Sequence, residues 1–206
     1  MKKLKNYIGQ LRLYSLADLI LLLVALGTGK YQFIGAVVLH IAFLSYLENK
    51  HAHLYRAKIS SWISYVLAVV GALFYRRIEG LFYLLFGFLY TKKNKKFGFL
   101  SPFYRGLQNL FIVGGIVGYS SGLIWIVGVL FVLRNLAGDF RDIEKDKIEE
   151  TQTIPILLGF NKSIKYIHLI LTIITSIVWW LISPISILWL LLVIAIQVST
   201  YNLTPR

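Results

Sequence analysis

The sequence predicts an all-α fold, a polytopic bundle of about eight membrane-spanning helices within a range of seven to nine, on three observations. Of the 206 residues 57% are hydrophobic and only 15% charged, with a mean hydropathy of +0.69. That is more apolar surface than a water-soluble domain of this length can hide. The apolar residues come in long runs, not in the alternating decamers of an outer-membrane barrel. The charges fall between those runs, with a bias of sign along the chain. A single transmembrane helical domain over 1–206 is expected, with no internal repeat and no appended soluble domain.

The first run, 13–28, follows the basic start MKKLK without a small-residue cleavage pattern, so an uncleaved start is expected. It contains Asp18, an acid that needs a partner such as Arg12 or a polar cavity. The second run, 31–47, leads into LENKHAHLYRAKIS. There His51 and His53 read as solvated interfacial residues before metal ligands, whereas His40 and the later His168 read as packed helix residues. Runs three and four, 60–75 and 79–90, flank Arg76 and Arg77. The aromatic series Phe82, Tyr83, Phe86, Phe88 and Tyr90 suits packing between helices; lining a cavity is the sharper alternative. Runs five and six, 107–119 and 121–137, meet at the turn YSSG. Runs seven and eight, 164–182 and 185–201, meet at SPIS, with Trp179 and Trp180 expected in an interfacial belt. A span needs about 17–20 apolar residues, so runs four and five must tilt, borrow neighbours or sit partly in the bilayer.

With the N-terminus inside, nineteen of the 22 lysines and arginines lie on the inner side, leaving Lys30, Arg76 and Arg77 outside. The positive-inside rule makes this the preferred orientation. An integral multi-pass protein follows, with both termini and the acidic loop cytoplasmic. The net charge of +13 then points to membrane lipids and anionic ligands and not to nucleic acid. The absence of cysteine excludes disulfides and thiolate metal sites.

Six of the nine acids fall between Asp139 and Glu150, at the inner end of run six. Asp139, Asp142 and Asp146 stand at i, i+3 and i+7, so a continuous helix would project all three from one face. Like charges so spaced cost roughly 0.2–0.5 kcal/mol per pair unless something neutralises them. A hard divalent cation does so, and oxygen-only ligands beside a phosphate are the Mg²⁺ pattern. The plainer alternative is a solvated helix whose acids pair with Arg141, Lys145 and Lys147. A second constellation, Tyr90 with Lys92, Lys93, Asn94, Lys95 and Lys96, then Tyr104 and Arg105, suits capture of a diphosphate by point charges. Simple topology determination by positive charge explains the same lysines.

The stretch RNLAGDFRDIEKDKIEETQTIPILLG, Arg134 to Gly159, resembles the second aspartate-rich motif of the UbiA superfamily of intramembrane prenyltransferases. Asp139, Asp142 and Asp146 fill its aspartates, and Thr153, Ile154, Pro155 and Gly159 its tail. Upstream, YTKKNKKFGFLSPFYRGLQNLFIVGGIVG resembles the family's tyrosine-and-lysine loop and the asparagine–glycine helix after it. LRLYSLADL is similar to the approach to its first helix. The likeness covers about residues 10–165, and it departs at two places. In the first aspartate-rich motif only Asn49 matches, with Lys50, His53 and Ala57 where aspartates are expected; and Glu150 stands where the family has glycine.

The resemblance implies a UbiA-like bundle that transfers an isoprenyl chain from an allylic diphosphate to a lipophilic acceptor. Catalytic and Mg²⁺-binding roles then fall to Asp139, Asp142 and Asp146. Substrate binding falls to Arg12, Asn49, Lys50, Tyr90, Lys92, Lys93, Asn109, Arg134 and Arg141. Loss of the first motif implies at least one cation site fewer, with Lys50, Arg56 and Lys58 supplying charge directly. A non-catalytic relative that binds an isoprenoid diphosphate or lipid is the alternative expectation. The Asp-Gly…Ala-Arg…Gly…Asp spacing of CDP-alcohol phosphotransferases is not in this sequence.

Overall fold

Each of the eight apolar runs becomes a helix in the computed structural model, which describes residues 2–92 and 95–205, without the side chains of Ala52 and Lys95. Eleven α-helices and no strand occur among the described residues: α1 (Lys2–Gln10), α2 (Leu13–Ala25), α3 (Lys30–Asn49), α4 (Ser61–Tyr75), α5 (Glu79–Thr91), α6 (Ser101–Val117), α7 (Leu123–Arg141), α8 (Ile143–Ile148), α9 (Ile154–Leu157), α10 (Ile167–Leu181) and α11 (Ile187–Thr200). Two of them, α3 and α7, are long and apolar enough to cross a membrane. The bent pair α1 and α2, 44° apart, makes a third if it counts as one span. Helices α4, α5 and α10 are apolar but shorter, as is α11 with the turn that continues it.

The chain divides into two compact units, residues 1–81 with 172–205, and residues 82–171. In the first, α3 and α4 pack as an antiparallel pair around glycines. A Cβ on Gly35 would collide with the backbone of Tyr75, and one on Gly71 would lie 2.8 Å from the Leu39 nitrogen. Small residues let helices approach this closely where lipid gives no hydrophobic drive. Arg12 separates α1 from α2 in a left-handed conformation, φ 44.

Asp18 is fully buried on α2. Its Oδ1 accepts from Trp179 Nε1 at 3.0 Å, Ser176 Oγ at 2.9 Å and Thr175 Oγ1 at 3.3 Å, all on α10. Gln197 of α11 donates to the same Ser176 hydroxyl at 2.6 Å. Trp179, expected in an interfacial belt, is therefore wholly buried, because its indole N–H meets the carboxylate. Trp180 is half-buried and donates to the Ile185 carbonyl at 2.9 Å. His40 is packed as expected, buried with a ring nitrogen 3.4 Å from Ser15 Oγ.

In the second unit α6 and α7 form another antiparallel pair, Gly106 against Val132 and Gly128 against Leu110. Helix α6 starts six residues before the apolar run that announced it, because its first turns carry the buried polar residues Ser101 and Arg105. Phe111 stacks on Phe82 and Phe86, with centroids 4.8 and 5.4 Å apart, so these aromatics pack between helices.

Candidate functional site

The acidic stretch does not continue as one helix. Helix α7 ends at Arg141, Asp142 leaves helical geometry at φ −101 and ψ 16, and α8 restarts at Ile143. The continuous helix assumed in the one-face reading of Asp139, Asp142 and Asp146 is corrected accordingly: it is interrupted at Asp142, although the Asp146 N–H still bonds the Asp142 carbonyl at 2.8 Å. Ile143, the first residue after the break, is fully buried.

The antiparallel register of α6 and α7 sets the start of one beside the end of the other. Ser101, the first residue of α6, donates to the carboxylate of Asp139 in the last turn of α7, at 3.3 and 3.4 Å. Asp139 and Asp146 are both buried, 7% and 3% exposed. Asp142 is clasped by its neighbour: Arg141 Nε donates to Oδ1 at 2.6 Å and a terminal nitrogen to Oδ2. The other acids have ordinary roles. Glu144 accepts from the Ser163 backbone N–H at 2.9 Å, and Lys145 lies 4.0 Å from Glu149. Lys147 bonds Asn161 at 2.5 Å. A solvated helix with its acids paired to nearby cations thus describes Asp142 and Glu149; Glu144 is exposed but bonds the Ser163 backbone instead, and Asp139 and Asp146 are buried. Among the described residues no three His, Asp or Glu side chains are grouped to hold a metal ion.

Two features of the tail have physical causes. Glu150 takes a left-handed conformation, φ 55, the geometry that glycine adopts without steric cost. Gly98 lies against this tail, where a Cβ would come 2.6 Å from the Thr151 methyl and 2.9 Å from the Gln152 carbonyl.

Tyr90 on α5 lies under the guanidinium of Arg105, 5.7 Å from its ring centroid. Arg105, buried on α6, also bonds Gln108 and Tyr83. Asn109 is buried and donates to the Arg105 carbonyl at 2.8 Å, while its Oδ1 and the Nε2 of Gln108 have no hydrogen-bond partner. A buried polar atom left unmatched costs about 1–3 kcal/mol. This polar cluster on α6 is where the structure gathers Tyr90 and Asn109. The sequence places Tyr83 in an aromatic series that packs between helices or lines a cavity, and does not single out Gln108; a polar residue inside an apolar helix was the signal that could have found Gln108. Arg134 is buried on α7, its guanidinium 5.4 Å from the Phe131 ring. Lys92 is exposed over the Phe88 ring at 5.1 Å. Lys93 lies outside the described residues.

Arg12, Asn49 and Lys50 belong to the first unit. Arg12 forms an ion pair with the buried Glu48, which also accepts from Tyr55 Oη at 2.9 Å. Burial, then the Glu48 charge, pushes the Tyr55 phenol above its ordinary pKa. Asn49 Oδ1 accepts from Gln10 at 3.3 Å, and Gln10 in turn takes the Ile59 N–H at 2.6 Å. These bonds close the loop after α3. Lys50 is exposed at the end of that helix. Comparison with protein-family models, curated proteins and solved structures finds no match.

Proposed function

We propose that the chain is a multi-pass membrane protein of about eight spans, with both termini and the acidic stretch cytoplasmic, and that it is a UbiA-like prenyltransferase. It transfers an isoprenyl chain from an allylic diphosphate to a lipophilic acceptor. The observation that carries this reading is the burial of Asp139 in the last turn of α7 and of Asp146 on α8, which follows it. Burying a carboxylate is costly, and two at a helix junction favour a site over a solvated surface.

In this reading the α6 cluster of Tyr90, Arg105, Gln108 and Asn109 orients the substrate's polar end by hydrogen bonds. Arg134, Lys92 and Lys93 add positive charge for the diphosphate. Ser101 holds the Asp139 carboxylate in place. The oxygen-only donor set suits Mg²⁺, which takes one or two carboxylates with substrate phosphates. Asp139 and Asp146 would be those two, and the cation's chemistry is to stabilise charge on the departing diphosphate. Asp142 does not fit as a third ligand while both its oxygens are on Arg141.

That clasp favours a second reading, a UbiA-like protein that binds an isoprenoid diphosphate or lipid without turning it over. Radiolabelled isoprenyl diphosphates of several lengths, incubated with purified protein, Mg²⁺ and a mixed acceptor panel, distinguish the two. Product formation abolished by Asp139→Ala supports transfer; binding without product supports the second reading. Unchanged turnover or binding in the Asp139/Asp142/Asp146 triple alanine variant sinks both.

A further inference from the structure

The three cations that stand apart from the inward charge bias gather in one place. Lys30 and Tyr31 begin α3, Phe74 and Tyr75 end α4, and Arg76 and Arg77 follow; together they line a cleft of ≈ 290 Å³. No acid lines it, and among the described residues none of the three cations has an acid partner. Glu79, two residues beyond Arg77, contributes nothing to the lining. Three like charges in one cleft repel one another, so a solvated surface with no ligand gains nothing by collecting them.

The cleft is open to solvent, but its floor is fixed. Tyr75 is fully buried against Gly35, which locks the end of α4 to the start of α3. Arg76 then takes a left-handed conformation, φ 57, which costs a non-glycine residue of order 1 kcal/mol. The reversal sets its guanidinium over the Tyr31 ring at 4.5 Å, a face contact that leaves the N–H edges available for an anion. Gly29 caps α3 without a side-chain bond, so the helix's positive end faces the same region.

We propose that this cleft binds a phosphate-bearing anion, either the headgroup of an anionic lipid or a free phosphate or pyrophosphate. Arg76 and Arg77 supply forked donors to the phosphoryl oxygens, and Lys30 a point charge. The cleft lies at the opposite end of α3 from Asn49, roughly 30 Å away for 20 residues at 1.5 Å rise. It is separate from the prenyl-transfer reading, and its test uses no isoprenoid.

Full-length protein in a neutral detergent is titrated with inorganic pyrophosphate by calorimetry. In parallel, phosphatidylglycerol and phosphatidylcholine retention is compared by native mass spectrometry. The expected result is binding of pyrophosphate or selective retention of phosphatidylglycerol, weakened at least tenfold in the Lys30→Gln/Arg76→Gln/Arg77→Gln variant and kept in Lys30→Arg/Arg77→Lys. Retention of the lipid alone identifies a headgroup site; binding of pyrophosphate identifies a soluble anion. Because Arg77 is exposed, Arg77→Gln alone gives about a threefold loss if the triple variant does not fold. Absence of both ligands from the wild type, or equal binding by the glutamine variants, overturns the proposal.

Discussion

Arg141 closes on Asp142, its sequence neighbour, with two nitrogens on two oxygens, so the middle aspartate of the acidic run is neutralised from within. A charge-assisted pair is worth about 1.5–3 kcal/mol. Arg141→Gln is therefore expected to tighten Mn²⁺ binding, read by electron paramagnetic resonance with an isoprenyl diphosphate present, by about tenfold or more. Weaker Mn²⁺ binding in this variant would show instead that Arg141 itself holds the ligand.

Asp18 and Trp179 are 161 residues apart and joined at 3.0 Å. Asp18→Ala strands the Trp179 N–H, whereas the Thr175 and Ser176 hydroxyls keep the Thr172 carbonyl, at an expected cost of about 1–3 kcal/mol. Trp179→Phe removes one donor and more mildly destabilises the protein. A double-mutant cycle in reversible detergent unfolding should return a coupling near 0.6–1.7 kcal/mol, the range for hydrogen bonds in membranes. Additive effects would exclude the pairing.

Close helix contact, not helix propensity, decides what a glycine tolerates here. Gly35→Ala drives a methyl group into the Tyr75 backbone and should cost about 1–3 kcal/mol as an overpacked site. Gly122, at φ −59 with open space around it, should accept alanine with no loss. Thermal unfolding of the two variants side by side checks both.

Tyr55 donates to Glu48, and its phenol is raised above its ordinary value of about 10. A raised acid keeps its proton in the folded state longer than in the unfolded state. Its stabilisation is therefore complete below about pH 10 and is lost only as pH climbs through the higher folded value. Tyr55→Phe removes a hydrogen bond to a carboxylate and should cost about 1.5–3 kcal/mol at pH 7 and equally at pH 9. A difference that vanished between pH 7 and 9 would exclude this arrangement.

Because the chain has no cysteine, single-cysteine labelling reads topology directly. Cysteines at Lys50, Lys92 and Lys162 should react only from the cytoplasmic side, and those at Gly29, Tyr119 and Pro184 only from the other. Labelling of Tyr119 and Lys162 from the same side would remove the eight-span arrangement.

Apolar run length and turn residues made the helices legible, since a sustained run bounded by glycine, serine or proline leaves the backbone few alternatives. The same signal failed wherever a helix carries polar residues. Helix α1, with Lys2, Lys3 and Lys5, passed as a flank, and the first turns of α6 passed as loop. The acidic residues themselves were legible as a candidate site. Their unequal fates were not, because Ser101 reaches Asp139 across 38 residues and nothing local marks it as the partner.

From composition and hydropathy pattern alone came the all-helical class, the positions of the apolar helices and the candidate carboxylates, since these depend on short-range chemistry and on which residues water rejects. Helix packing alone determined that α7 breaks at Asp142, that Arg12 meets Glu48, that Trp179 turns inward to Asp18, and that Lys30, Arg76 and Arg77 share a cleft. Each of those depends on which distant backbone arrives within a few ångströms, and no periodicity along one segment encodes that.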